Sequence, residues 1–291
     1  MNRLPIEKQV KIIQLLCEGN SLRATSRIVD VSINTVTNLL VDVGKACIKF
    51  HSKTVVQIRC KRVQCDEIWS FVYSKEKNTK VDKFGVGNVW TWVALDPDSK
   101  LAISWFAGER DIRSAKFFMN DLWCRLRTRV QLTTDGLKHY REAVDDTFGS
   151  RVDFAQFVKK YSTESINKNG KIDRRERYIG ADRNVITGNP DRKYITTSHI
   201  ERQNLTMRMH MRRFTRKTNA FSKKLENHCY AIALYFVYYN FVKIHKTLRV
   251  PPAMAAGLIK RLMKIEDIAR LVPEKQPQKR GSYKKKEKIS N

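Results

Sequence analysis

Residues 63–73 read VQCDEIWSFVY, and the placing of this run decides the fold. It is rich in β-branched and aromatic residues, which marks it as a strand. Two adjacent acids, Asp66 and Glu67, stand inside it among apolar neighbours. An ionised side chain in a core strand is costly unless it is paired or metal-bound. Period-two alternation sends the two acids to opposite faces, and the pattern alone does not choose between them.

Working outward, residues 75–82 are charged and turn-like, 88–95 (NVWTWVAL) form a second strand, 96–99 (DPDS) a turn, and 101–107 (LAISWFA) a third strand. Residues 112–126 have the helical apolar period (Ala115, Phe118, Met119, Leu122). Residues 130–134 form a fourth strand ending at Asp135–Gly136, 137–148 a helix, and 152–158 a fifth strand. Three antiparallel strands, then helix, strand and helices, is the order of an α/β fold: a ribonuclease H-like mixed sheet with flanking helices. That fold handles phosphodiester chemistry with carboxylates and divalent metal. Residues 163–194 change character, with charges, Asn, Gly and Pro scattered through them, and read as a mobile or DNA-facing connector. Two helices are expected after it, at about 197–213 and 225–243. The second is apolar nearly all round and should be buried against the sheet.

Upstream, residues 6–19 carry an amphipathic helical period. Ser21 can cap a short second helix, and a third starts at Ser32 with Ile33, Val36, Leu39, Leu40 and Val43 on one side. Helix, tight turn, helix is the helix-turn-helix arrangement. Its second helix would present Ser32, Asn34, Thr35, Thr37 and Asn38 outward, small polar groups suited to base edges and phosphates. The expected organisation is a small all-α helix-turn-helix domain at 1–55, a catalytic domain at 56–262 containing the connector 163–194, and a basic C-terminal tail at 263–291.

The chain of 291 residues has 57 Lys plus Arg against 29 Asp plus Glu, a formal charge of +28. Such an excess repels itself in the compact state and concentrates phosphate-rich partners, as expected of a nucleic-acid binder. Membrane insertion is not expected, because the longest apolar run, 230–239, falls well short of the roughly 20 residues a spanning helix needs. Arg3, Glu7, Lys8 and Lys11 interrupt any signal-peptide core. The six cysteines contain no CxxC pair and read as a reduced, intracellular set.

Asp66, Asp135 at the end of the fourth strand, and Glu201 near the start of a helix lie far apart in sequence, and only the fold can unite them. Two hard cations about 4 Å apart need oxygen ligands and open positions, which two Asp and one Glu supply. Taken singly, Asp135 before Gly136 equally suits a turn or cap, and Glu201 equally suits a solvated helix. On a 3.6-residue helix, Arg208 and Arg212 return to nearly the angular position of Glu201, with Asn204 beside them. From 202 to 224 every charged residue is basic, including Arg208, Arg212, Arg213, Arg216 and Lys217. That stretch is expected to clamp a DNA backbone.

The texts SLRATSRIVDVSINTVTNLL, CDEIWSFV, TTDGLKHY and HIERQN resemble the insertion-sequence-one family of bacterial transposases, over roughly residues 10–260. The resemblance implies a DDE transposase with a ribonuclease H-like core and Asp66, Asp135 and Glu201 as metal ligands. It breaks the tie in favour of Asp66 over Glu67. It further implies two Mg2+ (or Mn2+) ions per site and double-stranded DNA partners, both inverted repeats and target. A homodimer or higher assembly on DNA, at a cytoplasmic, nucleoid-associated location, is also implied. HIERQN followed by YYNFVKIHKTLRVPPAMA also resembles a wider integrase-like pattern, on which Asn240 and His245 would support the site. The expected activity is 3′-end cleavage and strand transfer, with an inactive DNA-binding regulator or a nuclease without strand transfer as the alternatives. Fuller family members look as though they carry a cysteine-rich zinc module before the helix-turn-helix, where this chain has only Cys17.

Overall fold

The computed structural model describes residues 4–79, 85–168, 171–215 and 219–273. Arg216, Lys217 and the tail from 274 lie outside the described residues.

Three helices open the chain: α1 (Ile6–Cys17), α2 (Leu22–Val29) and α3 (Ile33–Thr54). Ser21 and Ser32 cap α2 and α3, each side chain accepting from the backbone N–H three residues on (3.1 Å in both cases). Asp30, in the left-handed region at φ 53°, turns the chain between them. Ile12, Val29 and Val36 form a small core of their own. α3 is 22 residues long and runs on into the main core through Val43 and Cys47. At Gly44 it crosses α7 (Leu225–Val237) so closely that a Cβ there would lie 2.3 Å from that of Tyr230.

The centre is a six-stranded sheet built from β1 (Arg62–Val72), β2 (Gly87–Leu95), β3 (Ala102–Gly108), β4 (Gln131–Thr134), β5 (Asp153–Lys168) and β6 (Lys171–Thr187). The order is β3-β2-β1-β4-β5-β6. β1 to β3 form an antiparallel meander, β4 is parallel to both β1 and β5, and β6 is antiparallel to β5. Helices α4 (Ile112–Arg125) and α5 (His139–Phe148) connect β3 to β4 and β4 to β5. They cover one face with Phe118, Leu122, Tyr140 and Val144 over Val63, Cys65 and Trp92. Helices α6 (Ser198–His210) and α7 cover the other with Ile200, Met207, Ile232 and Phe236 over Ile68, Val93 and Leu95. Alternation along β1 therefore puts Glu67 on the α4–α5 side with Cys65, and Asp66 on the α6–α7 side with Ile68. The apolar α7 is buried as its pattern requires, against the sheet on one flank and α3 on the other.

Three expectations need correction. The stretch read as a connector at 163–194 is mostly strand: β5 pairs with β6 from Phe154↔Thr187 out to Lys168↔Lys171, whereas β4 reaches only Gln156. Backbone pairing sustains this ribbon without the apolar alternation that would have announced it. The expected tail at 263–291 begins with folded chain, since α9 (Ile265–Arg270), which follows the short α8 (Pro252–Ala255), buries Ile268 and Ala269 completely. The helix expected at 197–213 stops at His210, and Arg212 lies in a separate 3-10 turn, Arg212–Phe214, so it does not share the face of Glu201. No helix among the described residues is long and apolar enough to cross a membrane.

Candidate active site

β4 stops at Thr134, opposite Cys65. Beyond that point, among the described residues, no strand pairs with β1 on the edge β4 has left until Val72 bridges Ser222; on the other edge Asp66 lies opposite Val93 and Glu67 opposite Trp92. The open flank is where Asp135 leaves the sheet. Its loop is fixed on three sides: the Asp135 carboxylate accepts from Leu137 N (3.0 Å), its carbonyl accepts from Gln156 Nε2 (2.9 Å), and Thr134 Oγ1 donates to the same carbonyl (2.9 Å). Gly136 allows this packing, since a Cβ there would come within 3.1 Å of Val158 Cγ2.

Helix α6 is tied to β1 by side chains two apart on one face of the strand. Gln64 Oε1 accepts from the N–H groups of His199 (3.0 Å) and Ile200 (3.1 Å), satisfying donors that a helix start leaves open. Asn204 Nδ2, one turn further along α6, donates to Asp66 Oδ2 (2.9 Å). Ile200 is fully buried beneath the helix, while Leu205 is 43% exposed. Glu201 thus stands in the first turn of α6, where the helix dipole favours a carboxylate.

A cavity of about 450 Å³ brings the parts together; Asp66, Arg110, Asp135, Gly136, Leu137, Phe157, Val158, Lys159, Thr197 and Glu201 line it. Carboxylate oxygens of Asp66, Glu67 and Asp135 all lie within 4.8 Å of one another. Glu201 borders the same cavity, with Oε1 accepting from Thr197 Oγ1 (2.7 Å) and Oε2 from Lys159 Nζ (2.6 Å). Glu67 is buried and answered on both oxygens: Arg110 Nε donates to Oε1 (2.7 Å) and Tyr140 OH to Oε2 (3.1 Å). The Arg110 guanidinium also lies 4.0 Å from Asp135 and stacks over the Trp90 ring at 4.6 Å.

Burial, together with the crowding of negative charge, shows in the proton affinities. Burial, then the charges of Glu67 and Asp135, push Asp66 up to about 8. Burial and the charge of Asp135 push Glu67 up to about 7 against the pull of Arg110 and Tyr140. Burial raises Asp135 as well, and the charge of Glu201 adds to it. A divalent cation fits this donor set: hard oxygen ligands converge, their mutual repulsion is only partly compensated, and the buried Asn204 Oδ1 has no hydrogen-bond partner among the described residues.

The other expected residues fall elsewhere. Asn204 is buried against Asp66 instead of facing a DNA groove. Arg208 and Arg213 are half-buried and Arg212 is exposed, and none of the three lines the cavity. Asn240 is fully buried and pins β3, its side chain accepting from Ala102 N (3.0 Å) and donating to Ala102 O (2.9 Å). His245 is half-buried away from the cavity, and burial lowers its pKa. On α3, Asn34 and Asn38 are exposed; Ser32 and Thr35 hydrogen-bond each other (2.8 Å), and Thr37 Oγ1 donates to Ile33 O (2.8 Å). Gln64, Arg110, Tyr140, Lys159 and Thr197 were not foreseen. For Gln64 a signal existed: it sits two residues before Asp66, on the same face of a strand.

A mixed sheet whose central strand ends among converging acids defines a carboxylate-centred site of the kind that holds divalent cations. Residues 175–242 match the family model described as IS1 transposase. No curated protein matches the chain in sequence. Among solved structures, a Mos1 strand transfer complex is similar at 16% identity and a TM-score of 0.24, over 53% of this chain and 59% of that chain. A Mos1 transposase paired-end complex with the left transposon end is similar at 14% identity and a TM-score of 0.20, over 50% and 58%. The chain thus spans less than two thirds of these Mos1 chains.

Proposed function

We propose that the chain is a metal-dependent transposase with a ribonuclease H-like core. In this reading it binds the terminal inverted repeats of an insertion sequence, cleaves DNA to expose a 3′ hydroxyl, and joins that hydroxyl to target DNA. One observation carries it: Asp66, Asp135 and Glu201, from three separate elements, line a single cavity. Asp66, Asp135 and Glu201 are the residues that would hold magnesium or manganese, two ions per site. Such ions activate the attacking oxygen and stabilise the leaving oxygen of an in-line displacement.

The chain's own groups supply the rest. Asn204 orients Asp66, and the Asp135 loop is braced by Gln156. Glu67 serves as an anchor for Arg110 and Tyr140, because both its oxygens already accept hydrogen bonds. The α3 face with Asn34 and Asn38 reads the repeat, the basic segment 208–217 meets DNA backbone, and both element ends are handled by a dimer or higher assembly.

The test is a duplex carrying one element end, incubated with the protein and Mg2+ or Mn2+ beside a supercoiled plasmid. A transposase yields an exposed 3′ end and joined product. Cleavage without joining on a pre-cleaved end would mark a nuclease, and binding without cleavage a regulator.

A further inference from the structure

Two cations, Arg110 and Lys159, line the acidic cavity, and they sit in different circumstances. Arg110 answers Glu67, whose side chain is only 1% exposed. Removing a counter-ion from so buried a charge is strongly unfavourable, so Arg110 stays where it is. Lys159 answers Glu201 across a pair whose side chains are 31% and 39% exposed. A partly solvated pair of this kind contributes little and is readily exchanged.

The position of Lys159 is nonetheless well defined. It lies on β5 three residues after Gln156, whose amide braces the Asp135 loop, and it pairs with Ala181 of β6. With Lys159 and Thr197 occupying its two oxygens, Glu201 lies outside the trio of acids whose oxygens are within 4.8 Å of one another. An ammonium therefore occupies the carboxylate that a divalent cation would need.

We propose that Lys159 is an exchangeable counter-ion of the site: it holds Glu201 while the cavity lacks a divalent cation, yields Glu201 when one binds, and then meets a phosphate of the DNA at the same cavity. This rests on the functional reading above. A strand-anchored lysine cannot leave the cavity wall, and its flexible stem and compact charge suit a phosphate once the carboxylate is withdrawn. Lys159 is thus a positioning residue whose loss acts on cation and DNA with opposite signs.

The experiment compares the full chain with Lys159→Ala, Lys159→Gln and Lys159→Arg. Mn2+ binding is followed by water-proton relaxation, and affinity for a DNA duplex is followed as a function of salt. Lys159→Ala and Lys159→Gln are expected to bind Mn2+ about two- to fivefold more tightly, the range of a partly exposed ion pair. They are also expected to bind DNA more weakly, with the log–log salt slope smaller by about one. Lys159→Arg keeps both properties near those of the unaltered chain. Unchanged or weaker Mn2+ binding in the Ala and Gln variants, while the parent chain binds Mn2+, overturns the role of Lys159 alone. Tighter Mn2+ binding with an unaltered salt slope overturns its contact with phosphate. A parent chain that binds no Mn2+ overturns the functional reading as well.

Discussion

Asp66 and Glu67 are neighbours in the chain, and the two faces of β1 give them different lives. On the α6–α7 face, Asp66 accepts from Asn204 and lines the cavity. On the α4–α5 face, Glu67 is enclosed by Arg110 and Tyr140 and does not line it. Both carry raised proton affinities, so repulsion alone does not separate them. Their hydrogen-bond partners do: one carboxylate retains coordinating capacity toward an open cavity, and the other spends its capacity holding a guanidinium and a phenol in place.

The largest expected effect breaks this comparison directly. Asp66→Asn should lower metal-dependent DNA cleavage by about a hundredfold or more, since loss of even an outer-shell partner of a metal costs 10- to 100-fold. Glu67→Gln should spare most of the activity while lowering stability by about 1–3 kcal/mol, because the buried Tyr140 hydroxyl and the partly exposed Arg110 lose a charged acceptor. Cleavage rates and urea midpoints on both variants decide the matter. Equal loss of activity in the two, at unchanged stability, would make Glu67 the working acid.

The brace between β1 and α6 supplies the next test. Gln64 serves as the cap for α6 from outside the helix, a task usually met by the N-cap residue itself, and Thr197 makes no such side-chain bond to the helix. Gln64→Ala should cost about 1–2 kcal/mol, the usual range for a lost cap. It should also lower cleavage by about tenfold, because Glu201 sits one residue past the last N–H that Gln64 holds, and small misplacements of positioned groups are costly. A Gln64→Ala chain that loses stability but keeps full activity would show that Glu201 is positioned by Thr197 and Lys159 instead.

How much of this was legible in the sequence follows from what each element relies on. Residues 63–73, 88–95 and 101–107 announced themselves because apolar and β-branched residues bury both faces of the central sheet. The third helix declared its start through Ser32, a local signal. The β5–β6 ribbon did not, because it is a two-stranded extension held by backbone pairing beyond the reach of β4, so polar sequence is compatible with it and NKNGKIDRRER reads as loop. The end of α6 at His210 was missed because the basic run continues past it without a breaker. At the site, Asp66, Asp135 and Glu201 line one cavity, whereas Lys159, Arg110 and Tyr140 come from distant elements whose local sequence carries no mark of the meeting.

The smallest effect concerns acidity and sharpens the contrast between the two acids. A carboxylate whose folded-state pKa lies above its unfolded value favours the folded state at low pH, and that advantage is lost as pH rises through the folded pKa. Asp66, at about 8, and Glu67, at about 7, therefore make the cation-free protein progressively less stable as pH rises from about 4 to about 8. His51 and His228, pushed down by burial to about 4 and about 3, act in the opposite sense and below neutrality, as pH falls through 6.5. A cation that binds only the folded state offsets the carboxylates' repulsion and gains affinity as protons leave. The rise in Tm on adding Mn2+ should then be larger by a few degrees at about pH 9 than at about pH 6, taking roughly 2–4 °C per kcal/mol for a chain of this size. In Asp66→Asn the rise should be small at both. Because Glu67 is already paired with Arg110, Glu67→Gln should keep the pH-dependent rise, and calorimetry showing it abolished there would move the cation from the Asp66 face to the Glu67 face of β1.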